Sequence, residues 1–309
     1  MYRKPRPLSP RDSLHRQGYN FIADDATAAV KPCLWCKRAL RGGESCYKHQ
    51  FYGIDTWRCV QMTPTLRCNQ RCLFCWRSME YEPLDERILP PEEIIQGIPA
   101  LQRKGLSGDK PFCEPERWYA AVDNPTQYAV SLSGEPTLYP HLAELISLLR
   151  ADGSSVFVVS NGTVPEMIDK ISPAQLYISL DACTAEGYAT LCRPMGDAEL
   201  MWDNVLRSLA LFAKKEADGV RTAVRITLVK GYNDNDPAGF ARIISDAAPL
   251  FVEIKGYMYL GFSRGRLPES AVPDMDEITG FAAKIAEAAP EYELFASNAP
   301  SRVVCLKRK

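Results

Sequence analysis

The sequence lacks any apolar run approaching the roughly 20 residues that a membrane-spanning helix requires, so no membrane span is expected. Its first residues, Met1-Tyr2-Arg3-Lys4-Pro5-Arg6-Pro7, lack the apolar stretch of a secretory signal, and a cytoplasmic location is expected. No internal repeat or low-complexity tract stands out, which argues against a repeat architecture. Net charge is nearly absent, −1 from 37 Lys+Arg and 38 Asp+Glu. Apolar residues are not scarce: 46% of 309 residues suffice for a full core, in one large domain or two small ones, and exclude a disordered chain.

What the chain does have is cysteine. There are 11, an odd number, and seven fall between Cys33 and Cys75. A secreted disulfide framework does not suit a chain of this size without a signal, and clustered thiols in a reducing compartment favour metal. The near-zero net charge also hides an asymmetry. Residues 1–77 hold 14 Lys+Arg against 5 Asp+Glu, and the remainder holds 23 against 33. A basic first quarter that also carries the cysteines suggests a polyanion, such as a nucleic acid, beside a metal site.

The most informative stretch is Cys68-Asn69-Gln70-Arg71-Cys72-Leu73-Phe74-Cys75. Three thiolates at C-x3-C-x2-C can bind three irons of a [4Fe–4S] cube and leave the fourth open. A structural zinc site normally takes four ligands arranged in C-x2-C pairs, which this is not, and buried core cysteines need no spacing at all. Upstream, Cys33, Cys46 and Cys59 are separated by steps of thirteen, with Cys36 beside the first. All four could close a zinc site, or three could bind a second iron–sulfur cluster; the spacing alone does not choose. Lys48 lies two residues from Cys46. If Cys46 is a ligand, desolvation beside the metal would lower the lysine's pKa and fit it for a Schiff base with a carbonyl substrate.

Residues 1–32, rich in proline and arginine, read as an arm or cover. Apolar patterning then predicts strands at 58–64, 128–132, 156–159, 176–180, 222–229 and 251–258. Helices are predicted at 91–104, 141–149, 165–171, 200–215, 237–248 and 275–289, with 105–125 as loop and 291–306 as one or two edge strands. About six strand–helix units imply an α/β fold with a parallel sheet, its functional loops following the C-terminal strand ends. At those ends stand Ser133-Gly134-Glu135-Pro136, whose carbonyls and carboxylate can accept from an ammonium group. Asn161 follows the next strand, and Ser179 and Asp181 the one after, suited to ribose or methionyl contacts. Phe74 is placed to pack near an adenine. Arg193 and Thr227 are weaker candidates, Thr227 reading better as an ordinary strand residue.

These motifs together resemble a radical S-adenosylmethionine (radical SAM) enzyme family, the archaeal-type tRNA 4-demethylwyosine synthases. The likeness rests on the two cysteine sets, Leu132-Ser133-Gly134-Glu135-Pro136-Thr137, Tyr177-Ile178-Ser179-Leu180-Asp181, Arg225-Ile226-Thr227 and Glu253-Ile254-Lys255-Gly256-Tyr257. Serine replaces the first glycine of the family's usual GGEP element. The resemblance implies a partial (βα)6 radical SAM barrel over residues 56–290, a cysteine-rich extension over 1–55 and a C-terminal tail over 291–309. It implies two [4Fe–4S] clusters, one on Cys68, Cys72 and Cys75 with S-adenosyl-L-methionine on its open iron, the other on Cys33, Cys46 and Cys59. It implies that Lys48 engages pyruvate and that Phe74, Ser133, Gly134, Glu135, Asn161, Ser179 and Asp181 surround the cofactor. The implied reaction condenses pyruvate with N1-methylguanosine 3′ of the anticodon in tRNA. Cys36 departs from the family's spacing and is ranked as a non-ligand. A monomer is expected. Eukaryotic relatives carry an added flavodoxin domain that this chain lacks, so an external donor of ferredoxin or flavodoxin type is implied.

Overall fold

The computed structural model describes residues 9–79 and 87–309; the first eight residues of the basic arm lie outside them. Among the described residues ten strands form one sheet. They are β1 (Asn20–Phe21), β2 (Ala29–Val30), β3 (Cys59–Thr63), β4 (Gln127–Val130) and β5 (Ser155–Ser160), then β6 (Gln175–Ser179), β7 (Arg221–Leu228), β8 (Phe251–Gly256), β9 (Tyr292–Asn298) and β10 (Val303–Arg308). The order across the sheet is β1-β2-β3-β4-β5-β6-β7-β8-β10-β9. Strands β3 to β8 are parallel neighbours in chain order. Each parallel pair needs a crossover, and helices such as Leu142–Ala151 and Pro237–Ala247 supply them. Among the described residues no helix is long and apolar enough to cross a membrane.

The strands alternate between two apolar faces. Val60, Met62, Val130, Val156, Val158, Leu176, Ile178, Val224, Ile226, Val252 and Ile254 bury against the helices in the main core. Phe157, Tyr177, Ala223 and Phe251 point the other way and pack under Tyr47 and Phe51. Those two residues belong to the short helix Tyr47–Tyr52, which therefore plugs the inner face toward the N-terminal strand ends. Register places the next inner row in line, with Ser179 beside Arg225 and Arg225 beside Glu253. Thr227 and Lys255 follow one inward step later. The interior thus has an aromatic floor, a charged middle and an open C-terminal end.

Four expectations about elements need correction. Residues 105–125 are not loop. A 3-10 turn, Ser107–Phe112, leads into helix Pro115–Asp123, which starts on a proline and buries Trp118, Ala121 and Val122 at helical spacing. Helix Ala185–Cys192 was not predicted; Thr184 caps it by accepting the Gly187 N–H. The predicted helix 200–215 is two, Ala198–Ala210 and Phe212–Ala217, divided at Leu211. The arm, too, does more than cover: β2 pairs antiparallel with β3 and extends the sheet.

Candidate active site

Beyond the C-terminal end of β3 the chain runs through Thr65, Leu66 and Arg67 into Cys68. The Ser133–Glu135 turn presses directly on this run. Gly134 has φ +78°, and a Cβ there would lie 2.3 Å from the Thr65 carbonyl oxygen and 2.8 Å from that of Arg67. Only glycine allows both the left-handed backbone and the close approach. The Glu135 N–H donates to Arg67 O at 2.7 Å, and the Tyr19 and Ser133 hydroxyls meet at 2.5 Å. Downstream, Leu73 N donates to Leu191 O at 2.9 Å and Met195 N to Asn69 O at 2.9 Å, so residues 191–195 brace the loop from the side. Arg266 donates to the carbonyls of Leu73, Cys75 and Arg77. The three thiols therefore sit on a loop pinned from three directions. The Arg77 guanidinium interacts with all three.

Glu135 is buried, and its carboxylate points inward. Oε1 accepts from the Thr137 N–H at 3.0 Å, the Thr137 hydroxyl at 2.6 Å and the Ser160 hydroxyl at 2.8 Å. Oε2 accepts from the Asn161 N–H at 2.7 Å. The side chain thus ties the ends of β4 and β5 together, and only Oε2 keeps capacity for a further donor. Burial pushes the carboxyl up despite these donors. Asn161 reaches across to the loop, its Nδ2 donating to Asn69 Oδ1 at 2.9 Å. Asp181 is buried beyond β6 and accepts from the Thr227 N–H at 2.6 Å. Burial pushes it up to about 6. Thr227 meets Asp181 with its side chain as well as with its backbone N–H. Phe74 packs against Leu191 and Val229. Arg193 is a left-handed helix cap at φ 48° and is exposed.

The other three cysteines meet at the floor. Cys33 caps helix Leu34–Leu40, its Sγ accepting from Cys36 N at 3.3 Å, and Cys46 caps helix Tyr47–Tyr52. Cys59 opens β3 and interacts electrostatically with Cys33, Cys46 and Lys48. The Cys36 thiol donates to Cys59 O at 3.4 Å and Trp57 O at 3.6 Å, and it interacts electrostatically with Cys33 and Cys59. The Lys48 ammonium lies 4.7 Å from the Phe157 ring centroid and 4.9 Å from that of Tyr177. Burial, then the neighbouring Arg225, hold its pKa below the usual lysine value, against the opposing pull of Cys46 and Glu253.

Sequence reasoning gave no role to the charged group above this floor. Glu253 is fully buried. Its Oε2 accepts from Arg225 Nη2 at 2.9 Å and from the Tyr47 hydroxyl at 2.9 Å, and its Oε1 from the Tyr52 hydroxyl at 2.6 Å. Lys255, on the same strand, donates to Ser301 O at 2.9 Å and is pushed down to about 8 by desolvation and then by Arg225. The signal was available: charges at alternating positions inside otherwise apolar central strands mark an inner polar face.

No three of the described His, Cys, Asp and Glu side chains converge closely enough to hold one metal ion. A zinc site would draw its sulfurs to about 2.3 Å from one centre. A cubane instead spreads its thiolates over separate irons; within each triplet the cysteines interact electrostatically. Burial pushes the Cys68 thiol up to about 12.

Comparison with known proteins agrees with this layout. A family profile described as the radical SAM superfamily matches residues 111–244, and one described as wyosine base formation matches 246–308. The S-adenosyl-L-methionine-dependent tRNA 4-demethylwyosine synthase of Pyrococcus horikoshii is 38% identical over 98% of this chain and 89% of its own length. That of Methanocaldococcus jannaschii is 37% identical over 96% of this chain and 94% of its own. The mouse protein of that name is 36% identical, but the match spans only 41% of it. A solved structure of TYW1 with a lysine–pyruvate adduct bound superposes with a TM-score of 0.85 at 35% identity, covering 99% of this chain and 97% of the other. The fold is a radical SAM α/β fold with a parallel sheet. The chain belongs to the family of S-adenosyl-L-methionine-dependent tRNA 4-demethylwyosine synthases.

Proposed function

We propose that this chain condenses N1-methylguanosine, 3′ of the anticodon in tRNA, with pyruvate to form the tricyclic base 4-demethylwyosine. The observation that carries the reading is the placement of Lys48, desolvated on an aromatic floor beside Cys33, Cys46 and Cys59 and facing the same interior as Asp181 and Asn161. Tyr177 and Asp181 are four residues apart on one inner face, so about 13 Å separates the lysine level from the cofactor level. Each reactant is then held on its own level of one shared interior.

Cys68, Cys72 and Cys75 would hold the cluster that takes S-adenosyl-L-methionine. When bound, that pair supplies the radical that removes hydrogen from the N1-methyl group. Asp181 and Ser179 are assigned to the ribose of the cofactor. Asn161 and the carbonyls of Ser133 and Gly134 are assigned to its methionyl part, Glu135 Oε2 to its ammonium and Phe74 to its adenine. Cys33 and Cys46, from the extension over residues 1–55, and Cys59, at the start of the barrel over 56–290, would hold a second [4Fe–4S] cluster; residues 291–309 form the tail. Lys48 attacks the C2 carbonyl of pyruvate, and its lowered basicity keeps a share of the amine neutral for that step. The remaining expectations are an external electron donor of ferredoxin or flavodoxin type, a monomer and a cytoplasmic setting.

The test is an anaerobic incubation of reconstituted protein with N1-methylguanosine-containing tRNA, S-adenosyl-L-methionine, a reductant and labelled pyruvate, read as digested nucleosides by mass spectrometry. A tricyclic nucleoside carrying label from pyruvate C2 and C3 is expected. Formation of 5′-deoxyadenosine with no labelled nucleoside would discard the substrate assignment and leave the radical chemistry.

A further inference from the structure

A buried polar group lies under the Cys68–Cys75 loop and has no part in the chemistry described so far. Gln70, Tyr188 and Cys192 are all buried there, and backbone geometry brings them to the Cys72 sulfur. Gln70 pairs antiparallel with Pro194, and the bonds from Leu73 N to Leu191 O and from Met195 N to Asn69 O keep that register on either side. Two residues along, Cys72 comes opposite Cys192. The backbone bonds run at the neighbouring residues, so the two cysteine side chains stand at the closer of the two cross-strand spacings. Their side chains hydrogen-bond to one another. Gln70, two residues before Cys72, projects from the same face of the extended loop. Tyr188 stands one turn before Cys192 on helix Ala185–Cys192.

The Gln70 amide is oriented for a protonated Cys72. The Cys72 thiol donates to Gln70 Oε1 at 3.2 Å, and Gln70 Nε2 donates to the Tyr188 hydroxyl at 2.7 Å. The proton of that hydroxyl meets no acceptor among the described residues. Bound to iron, Cys72 is a thiolate and can only accept. A carbonyl oxygen facing that sulfur would be repelled. Turning the amide over exchanges its ends and leaves the heavy atoms in place. Nε2 then donates to the Cys72 sulfur, and Oε1 accepts from the Tyr188 hydroxyl. The turned arrangement also supplies the acceptor that the tyrosine lacks. Cys192 stands outside the C-x3-C-x2-C set, so its thiol has a proton to offer the same sulfur.

We propose that Gln70 Nε2 and the Cys192 thiol donate hydrogen bonds to the Cys72 sulfur of the assembled cluster and raise its reduction potential, with Tyr188 holding the amide in its turned orientation. Reduction places more negative charge on the cluster sulfurs, so donors aimed at them favour the reduced state. Gln70 and Cys192 act through Cys72 and are positioning residues. One electron enters the cluster on reduction, and no proton leaves the loop. This rests on the reading that Cys68, Cys72 and Cys75 hold the cluster that takes S-adenosyl-L-methionine.

The test is an anaerobic redox titration of reconstituted protein, followed by electron paramagnetic resonance. The reduced signal that changes on adding S-adenosyl-L-methionine identifies the cluster of the Cys68–Cys75 loop. Loss of one donor should lower the equilibrium constant for its reduction about tenfold, which for one electron is a shift of about 59 mV to more negative potential. Cys192→Ala and Gln70→Leu should each show that shift, while any signal that does not respond to S-adenosyl-L-methionine stays where it is. Cys192→Ser, which keeps a donor, should return the potential toward the wild-type value. Midpoints equal to wild type in both Cys192→Ala and Gln70→Leu would overturn the proposal. Loss of the responsive signal and its iron in Cys192→Ala would overturn it as well, since Cys192 would then be a ligand. Should Cys192→Ala fail to fold, Gln70→Leu alone decides. Absence of any responsive signal in the wild-type protein would instead discard the cluster reading, and the tuning with it.

Discussion

Replacing Gly134 by alanine isolates the contact between the Ser133–Glu135 turn and the loop that presents Cys68. Two costs follow from the structure. The residue has φ +78°, where an L side chain costs about 1–2 kcal/mol. The new methyl would also stand 2.3 Å from Thr65 O, 2.8 Å from Arg67 O and 2.9 Å from the Leu66 carbonyl carbon. All three are backbone atoms, so no side chain can rotate aside and the 65–67 run must shift. That shift stretches the bond between the Glu135 N–H and Arg67 O, 2.7 Å in the native loop, at a further cost of about 1 kcal/mol. The total of about 2–3 kcal/mol predicts a fall in Tm of about 3–5 °C for a chain of this size. Thermal melts and iron analysis after anaerobic reconstitution would measure it. On the proposed reading of two clusters, Cys68 follows the displaced run whereas Cys33, Cys46 and Cys59 lie at the other end of the strands, so iron should fall by about half rather than entirely. A variant that melts within a degree of wild type and binds full iron would refute the reasoning.

Three further outcomes are expected. Asp181, ordinarily near 3.8, is raised to about 6 in the folded chain, so its contribution to stability is lost as pH climbs from about 4 past 6, by about 3 kcal/mol at most. Denaturant titrations at pH 4.5 and 7.5 should show a smaller drop for Asp181→Asn than for wild type, and equal drops would dismiss Asp181 as the source. Glu253→Ala leaves Arg225 buried without its carboxylate and should cost about 3–5 kcal/mol. Removing both charges should cost clearly less, as read from unfolding midpoints. Cys36→Ala removes a thiol that donates only to backbone carbonyls, so iron content should hold while stability falls by about 1 kcal/mol; loss of a whole cluster would make Cys36 a ligand.

The parts of the site legible in the sequence were those carried by short contiguous runs. The Cys68–Cys75 spacing and the Ser133–Pro136 turn are local, and Asn161 and Asp181 follow recognisable strands. Lys48 was legible through its distance from Cys46. The Arg225–Glu253–Tyr47–Tyr52 group was not, because its members come from two strands and a helix, and only register brings them together. Helix Pro115–Asp123 was missed although Trp118, Ala121 and Val122 carry helical spacing and Pro115 stands at its start. The break at Leu211 had no such signal. The apolar stripe runs through it, and the turn follows from how helix Phe212–Ala217 must meet β7.

The sheet is open, and an open sheet has two rims where another chain can add a strand and begin to aggregate. At one rim β1 is only two residues long, too short to template a foreign strand. At the other, β9 is seven residues long and exposes Leu294 and Phe295. That rim is protected differently: the register with β10 slips between Cys305 and Leu306, Glu293 is exposed on the rim strand itself, and the Lys307 ammonium lies 5.4 Å from the Phe295 ring centroid. A bulge, a carboxylate and a cation over the ring make this rim a poor partner for its own copy. Colloidal stability at high protein concentration therefore depends on a handful of residues far from the chemistry, and neutralising Glu293 or Lys307 exposes the chain to clumping before it touches catalysis.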